Sequence, residues 1–136
     1  MILTRKIPVH PEQTLTHTLW YISRCCNRVW NEFISDRRQA FDEQRKVNYY
    51  TQKKLLPGLK KQDERLKDPA SQVLQEVCKS IQSGYKSFFE KRKKGDSDCR
   101  PPGFRSGKRF FTQHYPQQDN SFRFKGNQLS LSFYYI

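Results

Sequence analysis

Acidic residues are scarce in this sequence: 13 Asp and Glu stand against 26 Lys and Arg, so 136 residues carry a formal charge of +13. Such a deficit favours polyanionic partners, whose counterions a basic domain releases on binding, and nucleic acid leads that class. Long apolar runs are missing too. No stretch approaches the ~20 residues of a spanning helix, and no signal with an apolar centre opens the chain. The expectation is a soluble, cytoplasmic, nucleoid-associated protein with no membrane partner. Metal-ligand spacing is also lacking: Cys25 and Cys26 are adjacent, Cys78 and Cys99 are isolated, no CxxC occurs, and His10, His17 and His114 are scattered. Neither a zinc site nor a disulfide scaffold fits this pattern, and Cys26 and Cys78 read as small buried hydrophobes. The acids Glu32, Asp36, Asp42, Glu43, Asp63 and Glu64 show no convergence of the kind two-metal hydrolysis needs, so no catalytic residue and no cofactor is assigned to this chain. Hydrophobic content is low at 35%, but aromatics reach 14%, which implies one domain with a core built largely from rings.

The stretch from Asp68 to Phe89 organises the rest. Asp68 is a good N-cap and Pro69 suits the first helical position. Val73, Val77, Ile81, Tyr85 and Phe88, flanked by Leu74, Cys78 and Phe89, then form one apolar stripe at helical spacing. The opposite stripe, Gln72, Gln75, Lys79, Gln82 and Lys86, carries amides and ammoniums and no carboxylate. Glutamines can pair bidentately with adenine edges and lysines can meet phosphates, so this face is a candidate nucleic-acid surface; a plain solvated face is the other reading.

Ahead of that helix, residues 2–9 alternate in the manner of a strand, with Leu3, Ile7 and Val9 on one face. From Pro11 a long amphipathic helix follows, Leu15, Leu19, Ile22, Cys26, Val29 and Phe33 stepping by threes and fours, while Arg24, Arg28, Arg37 and Arg38 lie on its other faces. The polar run from Asp42 to Lys46 ends it. Trp20 and Trp30 read as packing residues. Between residues 47 and 62, a possible N-cap at Thr51 and Pro57-Gly58 predict a short helix, a break and another turn or two. Beyond the central helix, residues 91–109 hold eight Lys and Arg against two Asp, a net charge of +6 with little expected regular structure. Lys91, Arg92, Lys93, Lys94 and Arg105 are therefore candidates for phosphate contact, with a basic linker as the alternative; Phe104, Phe110 and Phe111 argue that the segment docks on the core. The last pattern has period two: Phe122 and Phe124, a Gly126-Asn127 turn, then Leu129, Leu131 and Phe133 predict a hairpin. The apolar Tyr134-Tyr135-Ile136 end reads as an edge that a partner or a further strand covers.

Three passages together resemble the N-terminal part of the transposon-encoded TnpB (OrfB) family of RNA-guided DNA nucleases, relatives of the type V CRISPR effectors. They are Pro11-Glu12-Gln13 with CCNRVWNEFISDRR, then SQVLQEVCKSIQSGYKSFFEKRKKG, then GFRSGKRF leading to SFRFKGNQLSL. Pro101-Pro102-Gly103-Phe104 departs from the family pattern, which places the proline after the aromatic residue. The resemblance implies an α+β fold: a small barrel-like antiparallel sheet, the wedge, from residues 1–9 and 100–136, holding an inserted helical recognition subdomain with a basic loop, residues 10–99. It implies a non-catalytic N-terminal half that grips guide RNA and reads a short duplex beside the target. By motif, the duplex-reading positions are Tyr49, Lys53, Ser71, Gln72, Gln75 and Tyr115. The family's RuvC carboxylates and zinc ribbon, with their Mg and Zn, would lie in a downstream domain or a separate chain. A free-standing or truncated transposon-derived DNA-binding regulator is the alternative.

Overall fold

Periodicity of three and four residues becomes three α-helices in the computed structural model, which describes residues 2–116 and 121–131. Helix α1 spans Gln13–Asp42, α2 Tyr49–Gln62 and α3 Ser71–Lys93; a short 3-10 turn, Glu64–Lys67, joins α2 to α3. One antiparallel hairpin follows, β1 (Phe122–Lys125) and β2 (Gln128–Leu131), so the fold is α+β. Among the described residues this two-stranded ladder is the one sheet, and an isolated bridge at Pro69 is the other β feature. The core lies between the helices: Ile22, Cys26, Val29, Phe33 and Ile34 of α1 meet Leu56 and Leu59 of α2 and Val73, Leu74, Val77, Cys78 and Ile81 of α3. Both predicted apolar stripes thus face one another, and Cys26 and Cys78 are fully buried. Toward the end of α3 the stripe runs out of cover, and Phe89 is 55% exposed.

Several boundaries differ from expectation for physical reasons. Residues 2–9 form no strand; Ile2, Leu3, Ile7 and Val9 are exposed, because alternation specifies a strand only where a sheet edge accepts it. Helix α2 does not break at Pro57. The carbonyl that proline leaves without its usual partner belongs to Lys53, on the solvent side, while Gln52, Leu56 and Leu59 anchor the inner face. Its N-cap is Asn48, with Thr51 three residues on completing a capping box: Thr51 N–H donates to Asn48 Oδ1 at 3.1 Å and Asn48 N–H to Thr51 Oγ1 at 3.0 Å. Asp68 does not cap α3. Its carboxylate accepts the Tyr21 hydroxyl at 2.6 Å, so a bond across 47 residues has claimed the capping side chain, and α3 starts at Ser71 with Ala70 as an N-cap that offers no side-chain bond.

The basic run after Phe89 is also more regular than predicted, since Lys91, Arg92 and Lys93 form the last turn of α3 and Lys94 its C-cap. Gly95, at φ +90°, lets Asp96 N–H reach Lys91 O and its own N–H reach Arg92 O, a Schellman closure. Cations there complement the negative end of the helix dipole. The hairpin forms with the predicted turn, Gly126 taking φ +59° and Phe122 pairing with Leu131 and Phe124 with Leu129. Phe133 and the Tyr134-Tyr135-Ile136 end lie outside the described residues.

Between Pro102 and Tyr115 the chain has no helix or strand yet is closely held. Pro102 packs on Gly84 of α3, where an added Cβ would stand 2.8 Å from Pro102 Cγ. The chain then runs back along α1 toward its N-terminus, tied at each turn. Trp30 Nε1 donates to Gly103 O (2.8 Å), Asn31 exchanges two bonds with the Arg105 backbone (2.8 and 2.9 Å), and Asn27 Nδ2 donates to Arg109 O (3.4 Å). Ser23 Oγ accepts Phe111 N–H (2.7 Å) and Gln113 Nε2 donates to Leu19 O (2.8 Å). Phe111 is buried, as a docking ring was expected to be, and this segment is a strap across the helices.

Candidate nucleic-acid interface

Helix α2 presents Tyr50, Lys53, Lys54, Pro57 and Lys60 along one side, at steps of three and four residues. Opposite them stands the first turn of α3. The two elements enclose an open groove of about 360 Å³ lined by those five residues with Leu56, Ser71 and Gln75. Three of the predicted duplex-reading residues, Lys53, Ser71 and Gln75, therefore share one depression, although they come from two helices. Lys60 Nζ donates to Ser71 Oγ at 2.9 Å, and burial pulls the Lys60 pKa down. No carboxylate lines the groove, so its lysines face one another without local compensation.

Tyr49 heads α2 beside this groove. Its ring centroid lies 5.8 Å from the ammonium of Lys53 and 5.8 Å from that of Lys79, which gathers a phenol and two cations from α2 and α3. Its backbone N–H is fixed by Gln82 Oε1 at 3.0 Å, an oxygen that also accepts Arg37 Nη2 at 2.7 Å. Gln82 thus turns inward to brace the helices, although its spacing places it on the outward stripe. A carboxylate stands beside that stripe: the buried Glu76 reaches Lys79 at 3.5 Å and His114 at 2.9 Å.

The remaining predicted residues lie elsewhere. Gln72 is half-buried and does not line the groove. Tyr115, on the strap, packs against the core; its hydroxyl donates to Gln113 Oε1 at 2.8 Å, and burial raises its pKa. Arg105 sits over α1 with its guanidinium on the rings of Trp30 and Phe111. Lys91, Arg92, Lys93 and Lys94 are exposed at the far end of α3 from Ser71 and Gln75.

Sequence reasoning missed Tyr50, Lys54 and Lys60. Their signal was present as a helical stripe, but the expected break at Pro57 hid it by cutting α2 in two. Among the described residues no group of three or more His, Cys, Asp or Glu could hold a metal ion, and no helix is long and apolar enough to cross a membrane. Comparison of the chain with protein-family models, with curated proteins and with solved structures gave no match.

Proposed function

We propose that this chain binds nucleic acid through the α2–α3 groove, reading a short duplex as the non-catalytic N-terminal half of a TnpB-like RNA-guided endonuclease. The observation that carries the reading is the groove itself: three lysines, a serine hydroxyl and a glutamine amide converge there with no acid among them. Lysines at that spacing meet a phosphate backbone, and a glutamine fixed beside them can pair with an adenine edge. The uncapped start of α3 adds a positive helix end to the same place. The family reading draws further support from two of its matched passages, which interlock in the fold: Trp30 and Asn31 of the first hold Gly103 and Arg105 of the third. Residues 2–9 and the hairpin would complete a barrel-like sheet with strands supplied by the rest of the effector. Phe122, Phe124, Leu129 and Leu131 share one hairpin face, on which Phe124 and Leu129 are exposed. Guide RNA is the second partner, and Mg and Zn belong to the nuclease half.

The test is duplex binding by fluorescence anisotropy over a salt series. Wild-type affinity should fall steeply with salt, and replacing Lys53, Lys54 and Lys60 together by Ala should flatten the log K against log salt slope by about 0.9 for each phosphate that a lysine no longer neutralises. Gln75→Ala should leave that slope unchanged but relax sequence preference in a randomised-duplex selection run with guide RNA present, by about 1–3 kcal/mol at the base it reads. An unaltered slope in the triple variant would remove the groove from the interface.

A further inference from the structure

The strap carries a second cleft, about 540 Å³ in volume, between Asn27 of α1 and Phe104, Arg105, Arg109 and Phe110 of the strap. Its central cation, Arg105, is held through its backbone and by two rings. The Arg105 backbone is clamped by Asn31, and its guanidinium carbon lies 4.0 Å from the Trp30 ring centroid and 4.6 Å from that of Phe111. Ring contact occupies the face of a guanidinium and leaves the N–H donors on its edge available. No carboxylate lines the cleft, and among the described residues no protein acceptor takes those donors. Burial lowers the Arg105 pKa, as expected for a cation without a counter-charge.

Beside this fixed cation two large rings face solvent. Phe104 is 55% exposed with the Arg38 guanidinium 4.4 Å from its centroid, and Phe110 is 45% exposed and edge-on to Trp20 at 5.0 Å. Exposed rings alternating with oriented arginines match a strand whose bases are unstacked, since phosphates take the guanidinium edges and base faces take the rings. A duplex offers phosphates but keeps its base faces inside the stack. The chemistry here therefore differs from that of the α2–α3 groove, where lysine and amide dominate.

We propose that this cleft binds single-stranded nucleic acid, with Arg105 and Arg109 holding a phosphate and Phe104 and Phe110 stacking unpaired bases. The inference rests on reading the chain as a nucleic-acid binder, but it uses a different surface, so the two can fail separately.

Fluorescein-labelled single strands of about 12 nucleotides, oligo-U RNA and oligo-dT DNA, and a duplex of the same length serve as probes for the full chain. Arg105→Ala should weaken single-strand binding about tenfold and Phe104→Ala several-fold, with duplex affinity within about twofold of wild type. The Lys53, Lys54, Lys60 triple variant should do the reverse. Should Arg105→Ala unfold, judged by circular dichroism, Arg109→Ala replaces it, because Arg109 is exposed and its bond to Asn27 is made by the backbone carbonyl. Both tryptophans, Trp20 and Trp30, touch strap rings, so single strands should also quench intrinsic fluorescence in wild type and do so less in Phe104→Ala. Binding of either RNA or DNA single strands sustains the proposal, and their ratio reports whether a 2′-hydroxyl is read. Duplex binding without single-strand binding, or single-strand binding that Phe104→Ala and Arg109→Ala leave intact, overturns it while sparing the groove. Failure of both probes would overturn the nucleic-acid reading along with it.

Discussion

Arg37 carries a charge that suits an outer face of α1, yet it stands four residues beyond Phe33, in line with the buried stripe, and is only 9% exposed. Its Nε donates to Gln52 Oε1 of α2 at 3.0 Å, its Nη2 to Gln82 Oε1 of α3 at 2.7 Å, and its guanidinium carbon lies 4.8 Å from the Tyr85 centroid. Gln52 is itself fully buried and passes the network on to Phe33 O and to Asp36. Burial lowers the Arg37 pKa, and amide oxygens rather than a bonded carboxylate offset the cost. Because Gln82 also accepts Tyr49 N–H, the same glutamine ties the first turn of α2, which carries Tyr49, to α3. Arg37→Ala should destabilise by about 2–4 kcal/mol, since two hydrogen bonds from a charged donor disappear and the buried Gln52 amide oxygen loses its partner. Urea unfolding should show a lower midpoint at unchanged m. Arg37→Lys, which keeps the charge without the fork, should fall between; a loss in Arg37→Ala below about 0.5 kcal/mol would mean the network is incidental. Helical spacing alone separates Arg37, in line with Phe33, from Arg24, Arg28 and Arg38, but the acceptors that make burial of its charge tolerable come from 15 and 45 residues away and are not legible locally.

Among the elements, the helices follow from their stripes, whereas the strap has no periodic signal at all. Its course depends on one small residue in α3: Gly84 costs helix propensity relative to alanine but leaves room for Pro102. Gly84→Val should destabilise by about 1–3 kcal/mol through overpacking and lift the strap from α1. The buried Trp30 ring should then become wetter, so its emission should shift red, whereas Ser83→Val, on an exposed neighbouring position, should change neither stability nor spectrum by much. An unshifted spectrum in Gly84→Val would show that the strap is held by its α1 bonds alone. The docking of Phe111 was legible from its place among basic residues, but the route along Asn31, Asn27, Ser23 and Leu19 was not. Those ties join residues 74 to 94 positions apart and use side chains that serve equally well on a solvated face.

At the scale of the whole molecule, the core is partly built from thiols kept neutral. Burial pushes Cys25 up to about 11 and Cys26 and Cys78 up to about 12. A thiol whose folded pKa lies above its unfolded value contributes stability that is complete below the unfolded pKa, near about 8.5, and is lost as pH rises toward the folded one. Under reducing conditions the melting temperature should therefore hold steady between about pH 7 and 8.5 and fall above that. The Cys26→Ala, Cys78→Ala double variant, though less stable at neutral pH, should show a shallower alkaline fall. An equal fall would assign the loss to other groups, Tyr21 among them, whose pKa burial also raises. The sequence by itself determined the apolar stripes of α1 and α3, the hairpin turn and the excess of positive charge, because helical spacing, turn chemistry and net charge are local or additive properties. Only the tertiary structure decided that Lys53, Lys60, Ser71 and Gln75 share a groove, that Asp68 serves Tyr21 instead of α3, that Gln52 and Gln82 supply the acceptors for Arg37, and that Arg105 lies over two rings. Each of those outcomes depends on a partner distant along the chain, and no window of neighbouring residues contains both members.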